Sequence, residues 1–131
     1  MISSHQIIDL EIWEGATFYR EFAWKIGTPP VAVDLTGHTA ALQARDAHDS
    51  EIVVLDLTTE NDGIILISPE TDGGYAISIP PSLTEGLCPD HEKRTLVYDL
   101  FFYAPAGADD AGVQQKGKIV INPAVTRPSE P

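Results

Sequence analysis

The sequence predicts an all-β sandwich, and three observations predict it. Apolar residues recur at spacing two through most of the chain, as in Ile8-Asp9-Leu10-Glu11-Ile12, and not at the three-and-four spacing of a helix. The alternating runs are separated by clusters of Gly, Pro, Asn and Asp, the residues that turns select. A chain of 131 residues is close to the commonest domain size, so the runs are expected to share one core over residues 1–127, with 128–131 as an extended tail.

The first strand is expected over Ile8–Ile12, half-buried because every second residue is apolar. Beyond Glu14-Gly15 the alternation resumes from Ala16 to Lys25, with Phe18, Phe22 and Trp24 on one face and Thr17, Tyr19, Glu21 and Lys25 on the other. Arg20 falls on the apolar face, which requires either an ion pair or a place at the rim, where its stem packs and its head stays wet; the rim is favoured. Gly27-Thr28-Pro29-Pro30 punctuates the chain, and a short Val31-Ala32-Val33 piece leads to the Asp34–Gly37 loop. His38–Arg45 follows as a strand, with Ala40, Leu42 and Ala44 opposed to Thr39, Gln43 and Arg45; its small residues imply close approach by the other sheet or by another subunit.

Asp46–Ser50 is a turn, Ile52–Thr58 a strand with Val53, Leu55 and Leu57 in phase, and Asn61-Asp62-Gly63 a turn into Ile64–Ile67. A short loop ending in Gly73-Gly74 joins that strand to Tyr75–Ile79 as a hairpin. Prolines exclude Pro80–Leu87 from a strand interior, so it is expected to cross over the core, with Ser82 capping one helical turn and Leu83 and Leu87 buried. Thr95–Ala104 is the strongest strand, apolar on both faces, as suits a central strand or one covered by a partner. After a loop from Pro105 to Gly112, Val113–Ile121 closes the domain and Asn122-Pro123 ends it.

About eight strands, with turn signals roughly every eight to twelve residues, give an immunoglobulin-like antiparallel β-sandwich with one short helical crossover. The likeness is architectural, because the Cys-Trp-Cys core of antibody domains is missing. Tyr98 reads as an ordinary core tyrosine in preference to a corner tyrosine.

Twenty acidic against eight basic residues give a net charge of −12, spread along the chain. Such a surface repels phosphate backbones and anionic lipid, which argues against nucleic acid and membrane as partners and for a basic partner or plain solubility. Cys88 is the only cysteine, and the start of the chain lacks the basic and apolar segments of a signal peptide. Synthesis and retention in a cytoplasm are expected until the protein is assembled into something larger.

Chemistry-bearing patterns are sparse. His5, His38, His48 and His91 are scattered without metal-ligand spacing, and the acidic turns Asp46/Asp49/Glu51 and Asp109/Asp110 lack the pattern of a calcium loop. There is no nucleophile elbow, phosphate loop or dinucleotide fingerprint, and Cys88 has none of the adjacent basic residues that activate a thiol. No catalytic residue, cofactor site or metal site is assigned. Trp13, Tyr19, Phe101 and Tyr103 fall opposite the core positions of their strands. These rings either line a second packed layer or mark contact with another chain.

Read in order, the segments Ile12-x-x-Gly15-x-Thr17-Phe18-x-x-x-Phe22-x-Trp24, Val33-Asp34-Leu35-Thr36-Gly37-x-Thr39-Ala40 and Leu55-x-Leu57-Thr58-Thr59 form a series. It continues with Asn61-x-Gly63-Ile64, Gly74-x-x-x-Ser78-Ile79, Tyr98-Asp99-Leu100, Lys116-Gly117-Lys118-Ile119-Val120-Ile121 and Pro123-x-Val125-Thr126-Arg127. The series resembles a family of small tailed-phage and prophage structural proteins that includes domains like the amino-terminal part of the siphophage upper baseplate protein. The chain departs from that pattern at Pro29-Pro30 and in the Ala106–Gly112 loop. The resemblance implies a bacteriophage virion structural protein of the tail, baseplate or head-tail neck region. It would be a homo-oligomer in a symmetric assembly with other virion proteins and would have no enzymatic activity. A capsid decoration or cement protein is the structural alternative. A carbohydrate-binding module, stacking sugars on Trp13, Tyr19 and Tyr103, is the alternative from another class.

Overall fold

A computed structural model describes residues 6–105 and 111–126. The described chain is built of β1 (Gln6–Ile7), β2 (Leu10–Trp13), β3 (Phe18–Ala23), β4 (Lys25–Ile26), β5 (Val31–Ala32), β6 (Thr39–Arg45), β7 (Leu55–Thr58), β8 (Ile64–Leu66), β9 (Gly74–Ile79), β10 (Arg94–Tyr103) and β11 (Ala111–Asn122). Single 3-10 turns lie at Glu70–Asp72 and Pro81–Leu83.

The strands form the two layers that the alternation predicts. The larger sheet runs β1-β11-β10-β6-β7, with β2 also paired to β11; the smaller runs β3-β9-β8, and β4 and β5 form a separate ribbon. Leu96, Leu100 and Phe102 of β10, Leu42 of β6 and Ile119 and Ile121 of β11 face Tyr75, Ile77 and Ile79 of β9 across the core. Trp24, Phe102 and Tyr75 form its aromatic centre, with ring centroids 5.3 and 5.2 Å apart. Ala40 and Ala44 are fully buried, so of the two approaches that their size left open, the structure shows the one within the chain.

The expected all-β sandwich is present, with antiparallel pairing except that β1 and β2 run parallel to β11. The single strand expected over Ile8–Ile12 is interrupted at Ile8 and Asp9, where a side chain replaces a ladder partner: the Asp9 carboxylate accepts from the Lys118 backbone N–H at 3.0 Å. Opposite the break stands Gly117, where a Cβ would lie 2.4 Å from the Ile8 carbonyl oxygen. Glycine is what lets the two backbones close up there. The strand expected from Ala16 to Lys25 is likewise divided, since Trp24 leaves the β3 ladder and its N–H donates to the Gly73 carbonyl at 2.8 Å. Gly73 has φ +73 and any Cβ would meet the Trp24 oxygen at 2.5 Å, so this crossing of backbones also requires glycine.

Arg20 takes the rim position. β3 pairs with β9 alone, Arg20 is exposed, and its guanidinium lies 5.0 Å from the centroid of the Phe22 ring. A charge on the inner side of an edge strand discourages a further strand from adding there.

Two expectations about the crossover are overturned. Ser82 does not cap the turn; Pro80 holds the cap position, without a side-chain bond, and Ser82 lies inside. Leu83 is 40% exposed and Leu87 only partly buried, whereas Thr84 is fully buried. A hydroxyl is tolerated there because Thr84 Oγ1 accepts from the Gly15 N–H at 2.8 Å and donates to the Pro81 carbonyl at 3.3 Å. Glu14 adds a second tie, its carboxylate accepting from the Cys88 N–H at 3.0 Å. The crossover is thus held to the β2–β3 turn by polar bonds where the leucine spacing had suggested apolar packing.

Candidate protein-docking face

The register of the larger sheet determines which side chains share its outer surface. Opposite the core residues of β10 lie Val97, Asp99, Phe101 and Tyr103. Val97 stands between Lys118 of β11 and Arg45 of β6, Asp99 between Lys116 and Gln43, and Phe101 between Val113 and Ala41. The floor residues Val97, Asp99 and Phe101 are half-buried, whereas Lys116, Lys118 and Gln43 are exposed. The result is an open recess of about 440 Å³ running along β10, with Ala41, Gln43, Arg45 and His48 on one bank and Lys116 on the other.

A β-bulge aligns this face. Between Leu100/Gln115 and Phe101/Val113 the register shifts by one residue, so Gln114 is inserted without a partner in β10. Both Gln114 and Gln115 are fully buried. Gln115 is well satisfied: its Oε1 accepts from the Tyr75 hydroxyl at 2.7 Å and its Nε2 donates to the Tyr98 hydroxyl at 2.8 Å. Tyr98 in turn donates to the Ile8 carbonyl at 2.6 Å. One chain of hydrogen bonds therefore joins the smaller sheet, the larger sheet and the break between β1 and β2. Tyr98 is a core tyrosine, as expected, but one whose hydroxyl spans the chain from β10 to its beginning. Burial raises the Tyr98 phenol to about 12 and raises Tyr75 further. The Gln114 carboxamide has no hydrogen-bond partner among the described residues.

Electrostatics separate the recess from the rest of this acidic protein. Arg45 is held in place by two bonds, donating from Nη1 to the Ser50 carbonyl at 2.6 Å and from Nη2 to Gln43 Oε1 at 2.8 Å. Burial raises the carboxyl pKa of Asp99, while His48, Arg45 and Lys116 oppose that rise. Among the described residues the ion pair is elsewhere: Arg94 donates from Nε and Nη2 to the two oxygens of Asp46 at 3.0 and 2.9 Å. That contact holds the Asp46 carboxyl below its ordinary range.

The four aromatic residues singled out from sequence do not form one patch. Phe101 and Tyr103 stand together on the outer face of β10, ring centroids 6.0 Å apart and 22° from parallel. Trp13, 55% exposed, is on the same side of the larger sheet but at the end of β2, opposite Asn122. Tyr19 is on the outer face of the smaller sheet, so across the sandwich, where its hydroxyl donates to Glu21 Oε2 at 2.8 Å. Phe101 is half-buried, and Tyr19 and Tyr103 are exposed. Sequence reasoning missed Arg45, His48, Asp99 and Lys116 as neighbours, because their grouping depends on the pairing of three strands distant in sequence.

No three or more His, Cys, Asp or Glu side chains among the described residues are grouped as a metal site would need. His5, Asp109 and Asp110 lie outside the described residues. Cys88 is buried, its thiol pKa raised by burial and then by Glu14, and its Sγ is 3.5 Å from the Ile121 carbonyl. No described helix is long and apolar enough to cross a membrane. No known family model matches the chain, and no curated protein matches it.

Proposed function

We propose that this chain is a non-enzymatic structural protein of a bacteriophage virion, in the tail, baseplate or head-tail region, and that it works by docking the outer face of its larger sheet onto another protein. The observation that carries this reading is the β10 recess: half-buried Val97 and Phe101, with Asp99 between them, and exposed Tyr103 put apolar side chains on a sheet whose other face already carries the core. Apolar side chains on both faces of a sheet call for a cover on both. The ordered segments from Ile12 to Arg127 support the phage assignment through their resemblance to phage structural proteins. A modest interface suffices in such a setting, because repetition around a symmetric scaffold multiplies weak contacts.

The test is mass spectrometry of purified particles from cells expressing the chain. The protein should be found in them, and expression without incorporation would overturn the proposal. Copy number separates the tail or neck reading from capsid decoration, which requires hundreds of copies per particle. The carbohydrate-binding alternative is weaker, since Tyr19 lies across the sandwich and Trp13 and Tyr103 stand at opposite ends of β11, too far apart for one sugar to stack on both.

A further inference from the structure

The geometry points to the chemistry of the docking partner: we infer that the β10 recess takes an extended acidic segment of another protein. This rests on the docking role proposed above and adds to it a ligand class.

The recess has the dimensions of a single extended chain. Its floor is one strand, β10, and its banks are the strands on either side, β6 and β11. Their spacing places the banks roughly 10 Å apart, room for one extended peptide but not for a helix with its side chains. The charge inside is opposite to that of the molecule. Lys116 and Arg45 flank the floor from opposite banks, His48 stands beside Arg45, and Lys118 is one row further along. Asp99 is the carboxylate among the residues lining the recess. Asp9 lies just outside, where its carboxylate is bonded to the Lys118 backbone N–H. Among the described residues neither Arg45 nor Lys116 forms a salt bridge; the bonds of Arg45 are to neutral groups, the Ser50 carbonyl and Gln43 Oε1.

The excess negative charge elsewhere does not cancel this. Screening at physiological ionic strength limits the reach of exposed charge to about 8 Å. What a bound peptide meets is therefore the local set and not the net −12: Lys116 and Arg45 against Asp99 in the recess, with Asp56 one strand further out, beyond Gln43. Arg45 is the better-prepared of the two anchors. Its fork is already fixed by Ser50 and Gln43, so gripping a carboxylate costs it little further freedom. Phe101 and Tyr103, with ring centroids 6.0 Å apart, and Ala41 beside Phe101 give an aliphatic side chain of the peptide an apolar surface to lie on.

The experiment is a nuclear magnetic resonance titration of the full chain with a short peptide alternating Glu and Val, with its Gln and Lys counterparts as controls. The Glu peptide should shift the amides of Val97, Asp99, Phe101, Arg45 and Lys116, and the control peptides should not. Arg45→Glu and Lys116→Glu should each weaken binding about tenfold or more. Asp99→Asn, which removes the recess's own negative charge, should strengthen it. The fold of each variant is checked by the dispersion of its own spectrum. Equal binding of the Lys peptide, shifts confined to another surface, or indifference to all three substitutions would overturn the inference. So would concentration-dependent self-association abolished by Lys116→Glu in a protein that ignores the peptide, since the occupant would then be a second copy. A chain found in particles that fails this titration loses the acidic ligand and keeps its structural role.

Discussion

Gln115 has more partners at stake than its neighbours. Replacing it with Leu keeps the volume close but leaves the Tyr75 hydroxyl without its acceptor, while Tyr98 keeps the Ile8 carbonyl. Leaving a buried polar group unpaired costs about 1–3 kcal/mol, so Gln115→Leu should lower the stability in urea by about that much. The same network sets an alkaline limit. Both tyrosines have folded-state pKa values raised above their unfolded ones, Tyr98 to about 12, so the folded protein holds protons that the unfolded chain has lost. Their contribution is complete below about pH 10 and is lost as pH rises through that value toward 12. Stability measured against pH should fall from about pH 10 upward, together with the appearance of the tyrosinate absorbance band. In the Tyr75→Phe/Tyr98→Phe double variant that fall should flatten, from a lower starting stability.

At the scale of elements, the crossover between β9 and β10 depends on a small number of polar ties. Thr84→Val preserves shape while removing the acceptor of the Gly15 N–H. It should destabilise the protein by about 1–2 kcal/mol and speed hydrogen exchange at Gly15 and Cys88 more than in β10. Uniform acceleration across all strands would instead mean that the crossover opens only with the whole fold. This region also marks where sequence reasoning stopped. Runs with strict alternation, such as Leu10-Glu11-Ile12, were legible because burial at spacing two is a local property. The Leu83/Leu87 pair misled for the same reason: spacing of four signals a helical face, but the proline-rich segment completes only a single 3-10 turn and leaves Leu83 at the surface. The bulge did leave a trace, since adjacent Gln114 and Gln115 break the alternation of β11. Nothing local indicates that Tyr75 and Tyr98, from two different sheets, converge on Gln115. Likewise Phe101 and Tyr103 were legible as outward-facing, whereas the cations around Asp99 were not, because Arg45 and Lys116 meet across β10 only once three strands are in register.

The molecule as a whole presents two outer faces of different character, and that contrast yields a test of which one docks. The smaller sheet turns outward Tyr19, Glu21, Ser78 and Ile65, with the Tyr19 hydroxyl already engaged by Glu21. The larger sheet turns outward the β10 strip and its banks of Lys116 and Arg45, none of them ion-paired among the described residues. Neither Tyr19 nor Tyr103 contributes to the core, so Tyr19→Ser and Tyr103→Ser should each change stability by only about 0.5 kcal/mol. Equal stability with unequal assembly is therefore the expected outcome. Tyr103→Ser, and more severely Tyr103→Ser with Val97→Glu, should reduce the amount of protein recovered in purified particles, since a carboxylate set between Lys118 and Arg45 removes apolar floor and neutralises the cations that a partner would meet. Tyr19→Ser should be incorporated like the parent chain. The comparison is read by quantitative mass spectrometry of particles assembled with each variant at matched expression. If Tyr19→Ser is the variant lost from particles, docking belongs to the smaller sheet, and the cationic recess on the other side has a separate use.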